Sequence, residues 1–171
     1  MRVFATVMIS AFALLTACSQ ASPPPGGAAN DVSAESEAPA AAPPVLTPTQ
    51  KKAMLAELPI AYQSADLDNG QAKFAICKTC HNVTQGGGNM TGPNLWGVFG
   101  RKAGSEAGFA YSDGMKALGS TWDADKIDKW IANPRAVVSA TKMTYIGMEN
   151  PKDRIDLIAY LKTVTSAPPT S

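Results

Sequence analysis

Two cysteines and a histidine stand together at residues 77–81, in the stretch CKTCH. They account for two of the three cysteines in the chain and for its only histidine. Two thiols three positions apart, with an imidazole directly behind the second, suit four kinds of site: a structural disulfide, a redox-active pair, a zinc site or a covalent haem attachment. The residues around CKTCH must decide among them.

Three of these possibilities lack a requirement. A disulfide between Cys77 and Cys80 would close a small, strained loop of little stabilising value. A thioredoxin-like pair needs a strand–helix–strand setting, which is not visible, and a zinc site needs further ligands, which no second cysteine or histidine cluster supplies. Covalent haem attachment is favoured, because C-x-x-C-H is its known sequence form and a helical turn can direct His81 at the iron.

A single histidine limits what can hold the other face of the iron. If His81 is the ligand on one side, the opposite position is held by methionine, held by lysine or left open. The chain has seven methionines, and most should be ordinary flexible core residues.

Three helical patterns surround CKTCH. The first can be capped by Ser64 or Asp66, and its small and apolar residues recur at intervals of three and four up to CKTCH: Leu67, Gly70, Phe74, Cys77. The second follows Trp122 and should stop before Pro134. The third begins with Asn150 as cap and Pro151 as the first helical residue.

The connections between these helices are long and contain Gly and Asn, and no convincing alternating strand is visible. The pattern predicts an all-α domain. A domain of about 105 residues with loops this long has little side-chain core of its own, so a buried cofactor should fill its middle.

The first 17 residues are predicted to be a secretion signal, with Arg2 followed by an apolar run over residues 3–15. The run is too short to cross a bilayer core of about 30 Å. Its ending, LTAC, resembles the lipobox of bacterial lipoproteins, in which Cys18 is lipidated and becomes the first mature residue. An ordinary cleaved signal, with no role for Cys18, is the alternative.

Residues 18–60 are predicted to be a lipidated N-terminus and a flexible tether, since Ala, Pro, Ser and Gly dominate and no apolar pattern could bury a core. The folded domain should span residues 61–166, with a disordered tail at 167–171. A net charge of +1 over 171 residues gives no indication of nucleic-acid binding.

Four further motifs follow CKTCH in order: GPNLWGVFGRKAG (92–104), FAYSDGMKALGSTW (109–122), NPRAVVSATKM (133–143) and DRIDLIAYLK (153–162). With CKTCH they resemble the class I c-type cytochromes of the mitochondrial type over nearly all of residues 66–165. The resemblance implies a small all-α fold, with three main helices and long loops wrapped around one covalently attached haem c. It implies an electron carrier and not an enzyme.

The resemblance also implies roles for single residues. It assigns the thioether links to Cys77 and Cys80, and the iron ligands to His81 and Met143. The carbonyl of Pro93 would accept a hydrogen bond from the His81 ring. The haem propionates would lie near four residues that each also have an ordinary explanation as core aromatic, surface charge or loop hydroxyl: Arg101, Tyr111, Trp122, Thr141.

Two positions depart from the family pattern. Ser139-Ala140 stands where Pro-Gly is common, which bears on the stiffness of the loop before Met143. Trp130 stands where a tyrosine hydroxyl is usual near the methionine sulfur, and an indole N–H donates but cannot accept. Lys142 could replace Met143 as ligand at high pH.

The implied function is electron transfer at the bacterial periplasmic face, from a quinol-oxidising cytochrome bc complex to a terminal oxidase, by a membrane-anchored monomer. Membrane redox complexes would dock at the haem edge, and lipid on Cys18 would hold the protein at the inner or outer membrane. Two alternatives are a haem protein with a labile Met143 bond that binds a small gas or peroxide, and a dedicated subunit of one oxidoreductase.

Overall fold

The computed structural model describes residues 45–169, and the predicted signal, the lipidation site Cys18 and most of the predicted tether lie outside this range. The described residues form six α-helices: α1 (Pro48–Ala56), α2 (Leu67–Phe74), α3 (Asp113–Ala117), α4 (Ala124–Ala132), α5 (Pro134–Val137) and α6 (Pro151–Thr165). Short 3₁₀ turns occupy Ile60–Tyr62 and Cys77–Thr79. Over this range there is no β-strand, and Lys102 and Thr121 form an isolated β bridge, so the all-α prediction is confirmed.

Helices α2 and α6 cross at the centre of the domain. Gly70 permits the close approach, because a Cβ atom there would lie 2.1 Å from the backbone oxygen of Asp156. Next to the crossing, the rings of Phe74 and Tyr160 pack with their centroids 5.7 Å apart. A larger residue at position 70 would separate the two helices.

Side-chain caps fix where α2 and α6 begin. The carboxylate of Asp66 accepts hydrogen bonds from the backbone N–H groups of Asp68 and Asn69, and Asn150 caps α6 ahead of Pro151. The buried carboxylate of Asp156 then joins the two helices, because it accepts from the backbone N–H of Asp66 at 2.9 Å. Both predicted caps are confirmed.

Helix α4 packs beside α6 through Ile127 and Ile131, which are buried. Arg154 of α6 strengthens this contact with a 2.7 Å ion pair to Asp128. As predicted, α4 ends before Pro134, but a further short helix, α5, begins directly at that proline. Asn133 serves as its cap and accepts from the N–H of Ala136.

The N-terminal helix α1 corrects the predicted extent of the flexible tether. Residues 48–56 were expected to belong to it, yet Thr47 and Gln50 form a reciprocal capping box and α1 packs against α6. Leu55 and Leu58 are buried in the same apolar cluster as Leu157 and Leu161 of α6, so the folded part begins near residue 47 and not 61. No helix among residues 45–169 has the length and apolar character needed to cross a membrane.

Candidate haem site

A deep cavity of about 600 Å³ opens among α2, α4, α6 and the loops between them. Its size falls in the range of sites for small molecules and cofactors. The helices supply an apolar wall, to which Phe74, Ile127 and Leu157 contribute. All nine residues assigned to the cofactor from the sequence line this cavity: Cys77, Cys80, His81, Pro93, Arg101, Tyr111, Trp122, Thr141, Met143.

The CKTCH stretch lies just beyond the end of α2, where the backbone tightens into a 3₁₀ turn over Cys77–Thr79. The backbone N–H groups of Cys80 and His81 both donate to the carbonyl of Cys77, at 3.1 and 2.9 Å. Cys77 and Cys80 are free thiols and half-buried, and burial raises the pKa of Cys77 to about 11. The turn therefore places two thiols in the cavity lining as candidates for covalent attachment, with the imidazole next to them.

The ring of His81 is held by one hydrogen bond. Its Nδ1 atom lies 2.8 Å from the carbonyl oxygen of Pro93. A carbonyl can only accept, so Nδ1 carries the proton and, in the neutral ring, Nε2 keeps its lone pair. Burial, together with the nearby charge of Arg101, lowers the pKa of His81 and favours this neutral form. The imidazole is thereby prepared as a metal ligand.

Gly92 is a site residue that the sequence reasoning missed. A Cβ atom at this position would lie 2.4 Å from Cε1 of His81 and 2.7 Å from its Nδ1. The backbone N–H of Gly92 also donates to the carbonyl of Cys80 at 2.8 Å. The loop backbone thus lies directly against the imidazole, and the only signal for this in the sequence was the Gly-Pro pair at residues 92–93.

The loop that carries Gly92 and Pro93 is held rigid by Asn94, which is buried. Its Nδ2 donates to the carbonyls of Thr84 and Gly87, and its side-chain oxygen accepts from the backbone N–H of Trp96 at 2.8 Å. A buried polar side chain with all of these partners fixes one loop conformation. The Pro93 carbonyl is therefore held in place by the hydrogen bond of Gly92 before it and by those of Asn94 after it.

Met143 also lines the cavity, from the loop that follows α5. The turn at Ser139-Ala140 is closed by a 3.0 Å hydrogen bond from the N–H of Thr141 to the carbonyl of Val138. The Thr141 hydroxyl then accepts from the N–H of Met143 at 3.1 Å. Met115 also lines the cavity but is packed into a small apolar cluster with Val138.

Lys142 makes a contact that the sequence did not suggest. Its Nζ donates to the backbone carbonyl of Ala110 at 2.5 Å, so it joins the loop of Met143 to the segment before α3. The ammonium group of Lys142 is therefore held by this backbone carbonyl.

The remaining predicted residues surround one end of the cavity. The side chain of Arg101 reaches the backbone carbonyls of Asn94 and Trp96. Burial raises the pKa of the Tyr111 hydroxyl, so it remains a neutral donor at ordinary pH. Trp122 packs on Trp130 with centroids 5.7 Å apart.

Comparison with known proteins decides the family. The family model described as "Cytochrome c" matches residues 67–165, more than half of the chain. The chain belongs to the cytochrome c family. It is 48% identical to the cytochrome c2 of Rhodomicrobium vannielii over 103 residues, which is 60% of this chain and 82% of that protein.

Further relatives agree with this assignment. The cytochrome c of Chlamydomonas reinhardtii is 41% identical over 104 residues, covering 60% of this chain and 93% of that protein. Among solved structures, cytochrome cH from Methylobacterium extorquens is 45% identical, with a TM-score of 0.54, over 58% of this chain and 99% of that one. The predicted family and fold class are confirmed.

As a cytochrome c, the chain is an electron carrier with one covalently attached haem c. The residues in the cavity fit this cofactor: two free thiols lie next to a neutral imidazole, and a methionine thioether belongs to the same lining. Among the described residues, the charged side chains that line the cavity are Arg101 and Lys142, and no carboxylate does. That charge balance suits the two anionic propionates of a haem.

Proposed function

We propose that this protein is a membrane-tethered periplasmic cytochrome c that carries single electrons from a quinol-oxidising cytochrome bc complex to a terminal oxidase. One observation carries the proposal: the cavity is lined at once by the two thiols of CKTCH, the imidazole of His81 and the thioether of Met143. If His81 and Met143 both held the iron, no position would be open to a substrate, and electron transfer would be the chemistry left to it.

Each side chain would have a definite part in this site. Cys77 and Cys80 would become thioethers, and the carbonyl of Pro93 would keep the His81 ring oriented and increase its basicity. Bound in this way, the haem iron supplies one-electron redox chemistry. The apolar wall from α2, α4 and α6 would keep water out, and a methionine ligand opposite histidine raises the reduction potential.

The rim of the cavity supports docking through an apolar surface. Ile146 and Ile76 line the cavity yet expose 92% and 55% of their area. Over residues 49–171 there are 14 Lys and Arg against 11 Asp and Glu, so the net charge is only +3 before the propionates are counted. We therefore expect weak electrostatic steering and a modest salt dependence of the reaction rate with partners.

The tether would keep the domain close to its partners. Lipid on Cys18 holds one end at the membrane, and a flexible segment of this kind gives an effective concentration of about millimolar. In the mature protein, mass spectrometry of the N-terminal peptide should show that Cys18 is the first residue and carries the mass of attached lipid. A mature N-terminal peptide with an unmodified Cys18, or one that begins after it, would contradict the lipid anchor.

The assignment of Met143 is tested by spectroscopy. Met143→Ala should abolish the ferric sulfur-to-iron charge-transfer band and allow carbon monoxide to bind. Met115→Leu is the matched control, because Met115 also lines the cavity, and it should retain the band. If Met143→Ala keeps both the band and the wild-type potential, Met143 is not the ligand. If the wild-type protein itself lacks the band and binds carbon monoxide readily, it is a ligand-binding haem protein and not a shuttle.

A further inference from the structure

An ion pair at the edge of the cavity joins Arg101 to Glu106. A guanidinium nitrogen of Arg101, Nη1, donates to Oε2 of Glu106. The side chains of the two residues are only 15% and 23% exposed, so solvent and salt screen the pair less than they screen a surface contact. Arg101 lines the cavity, whereas Glu106 is not part of the lining.

The position of this pair sets it apart from the others. The described residues form seven ion pairs, and Arg101–Glu106 is the only one with a member that lines the cavity. Glu57 and Lys162, for comparison, form a 2.8 Å pair between α6 and the segment after α1, away from the cavity lining. Among the ion-paired carboxylates of the described residues, Glu106 is therefore the one that is bound to a side chain of the cavity lining.

The hydrogen bonds of Arg101 show what the pair does to the guanidinium. Nη1 donates to Glu106 and to the carbonyl of Trp96 at 3.1 Å, and Nη2 donates to the carbonyl of Asn94 at 2.8 Å. These contacts use three of the five N–H donors of the planar group. The Nε–H and one Nη2–H remain for an anionic group in the cavity, and the fixed plane determines the direction in which they point.

Arg101 and Glu106 also act on Tyr111, another polar residue that lines the cavity. Burial is the largest cause and raises the pKa of the Tyr111 hydroxyl, whereas the charge of Arg101 lowers it and the charge of the Glu106 carboxylate raises it. Both charges of the ion pair therefore act on a group inside the cavity.

We propose that Glu106 is a positioning residue of the haem site: its carboxylate fixes the Arg101 guanidinium and places one negative charge at the cavity edge, which lowers the midpoint potential. The inference rests on the proposed function for its cofactor and goes beyond it by naming a residue that sets the potential. The physical reason is that a nearby negative charge favours the ferric form of the iron, which carries one more positive charge than the ferrous form.

The test compares two neutral replacements in the holoprotein. Glu106→Gln keeps an oxygen that can accept from Arg101 but removes the charge, and Glu57→Gln makes the same chemical change in the remote pair with Lys162. We expect redox titration to show a higher midpoint potential for Glu106→Gln and no shift for Glu57→Gln. The shift should persist in 1 M salt, because the pair is largely buried.

Two further measurements keep the result interpretable. Glu106→Asp retains the charge, so its potential should stay closer to wild type than that of Glu106→Gln even if either variant folds less well. The ferric charge-transfer band, recorded on every variant, reports whether Met143 is still bound. A potential for Glu106→Gln that moves no more than that of Glu57→Gln overturns the proposal, whereas an absent band in wild type overturns the proposed ligation instead.

Discussion

The contact between Gly92 and His81 gives the sharpest test of how the site is built. Gly92→Ala adds one methyl group, and this group would lie 2.4 Å from Cε1 of the His81 ring. Carbon atoms in contact prefer a separation of about 3.5–4.0 Å. Either the ring or the loop must therefore move by about 1 Å.

Neither partner can move without cost. The ring is held by the 2.8 Å hydrogen bond from Nδ1 to Pro93, and a displacement of about 1 Å takes it out of the range of a good hydrogen bond, about 2.7–3.2 Å. The loop is held by the contacts of Asn94. Overpacking of this kind costs about 1–3 kcal/mol. At about 4 °C per kcal/mol for a domain of this size, the melting temperature should fall by about 4–12 °C.

The measurement is thermal unfolding of the holoprotein followed in the haem absorption bands, together with a redox titration. Gly88→Ala is the matched control in the same loop, since its added methyl group meets nothing within 4 Å. We expect Gly88→Ala to unfold like wild type and Gly92→Ala to unfold early with an altered potential. Identical melting temperatures and potentials for the two variants would refute the contact between the loop backbone and the imidazole.

Three further predictions concern the scaffold. Asp156→Ala removes the acceptor that the backbone N–H of Asp66 and the side chains of Asn69 and Lys152 share, and it should cost about 1–3 kcal/mol. Burial raises the pKa of Asp156, but its hydrogen bonds and the charge of Lys152 lower the pKa by more, so that it lies below the usual value. The charged carboxylate therefore stabilises the fold above about pH 4, and this stabilisation should be lost as the pH falls further. Asp156→Asn should not show this loss. Met54→Ala should cost about 2–5 kcal/mol by opening a cavity under α1, whereas Met90→Ala, at a side chain 49% exposed, should change stability by less than about 0.5 kcal/mol. Burial, followed by the charges of two aspartates, raises the pKa of Tyr62 to about 12. An unfolded tyrosine loses its proton near pH 10, so stability should decline between these values. Tyr62→Phe should make that decline smaller without removing it, because burial also raises the pKa of Tyr111, Tyr145 and Tyr160.

Denaturant titrations of the holoproteins over a series of pH values measure all three. An acid profile of Asp156→Asn that matches wild type would show that the carboxylate does not link the two helices in the charged state. Equal stability of Met54→Ala and Met90→Ala would place α1 outside the folded domain. An alkaline decline in Tyr62→Phe as large as that in wild type would have to come from other groups.

The three main helices could be predicted because their signals are local. Asp66 before α2, and Asn150 with Pro151 at α6, act on backbone N–H groups two or three residues away, so the sequence contains the whole interaction. The residues lining the cavity could be named for a similar reason, since CKTCH and the later motifs occur in a recognisable order. Their distances could not be read from that order.

Helix α1 was missed although its capping box was present in the sequence. Thr47, Pro48 and Gln50 are a typical helix start, but the surrounding Ala- and Pro-rich composition predicts an unstructured segment. The helix is stabilised by burial of Leu55 in the apolar cluster that contains Leu157 and Leu161 of α6, more than 90 residues later in the chain, which local patterns do not reveal.

Gly92 and Glu106 illustrate the same limit within the site. Position 92 requires glycine because the imidazole of His81 lies directly against it. The two residues are eleven positions apart in the chain, and the fold of the loop between them brings them into contact. Glu106 has the appearance of an ordinary surface carboxylate until the fold places it on Arg101. Both contacts depend on how loops close, and neither has a sequence period.

The seating of α1 on α6 decides where a mechanical load enters the domain. The start of the described chain, at Val45 and Leu46, shares a shallow groove with Tyr160 and Val164, a face of α6 that does not line the cavity. A pull on the N-terminus would therefore be resisted first by the contacts between these two helices. Force would reach the loop that carries Met143 only after α1 had separated from α6. Tension in the proposed tether would therefore leave the haem site undisturbed.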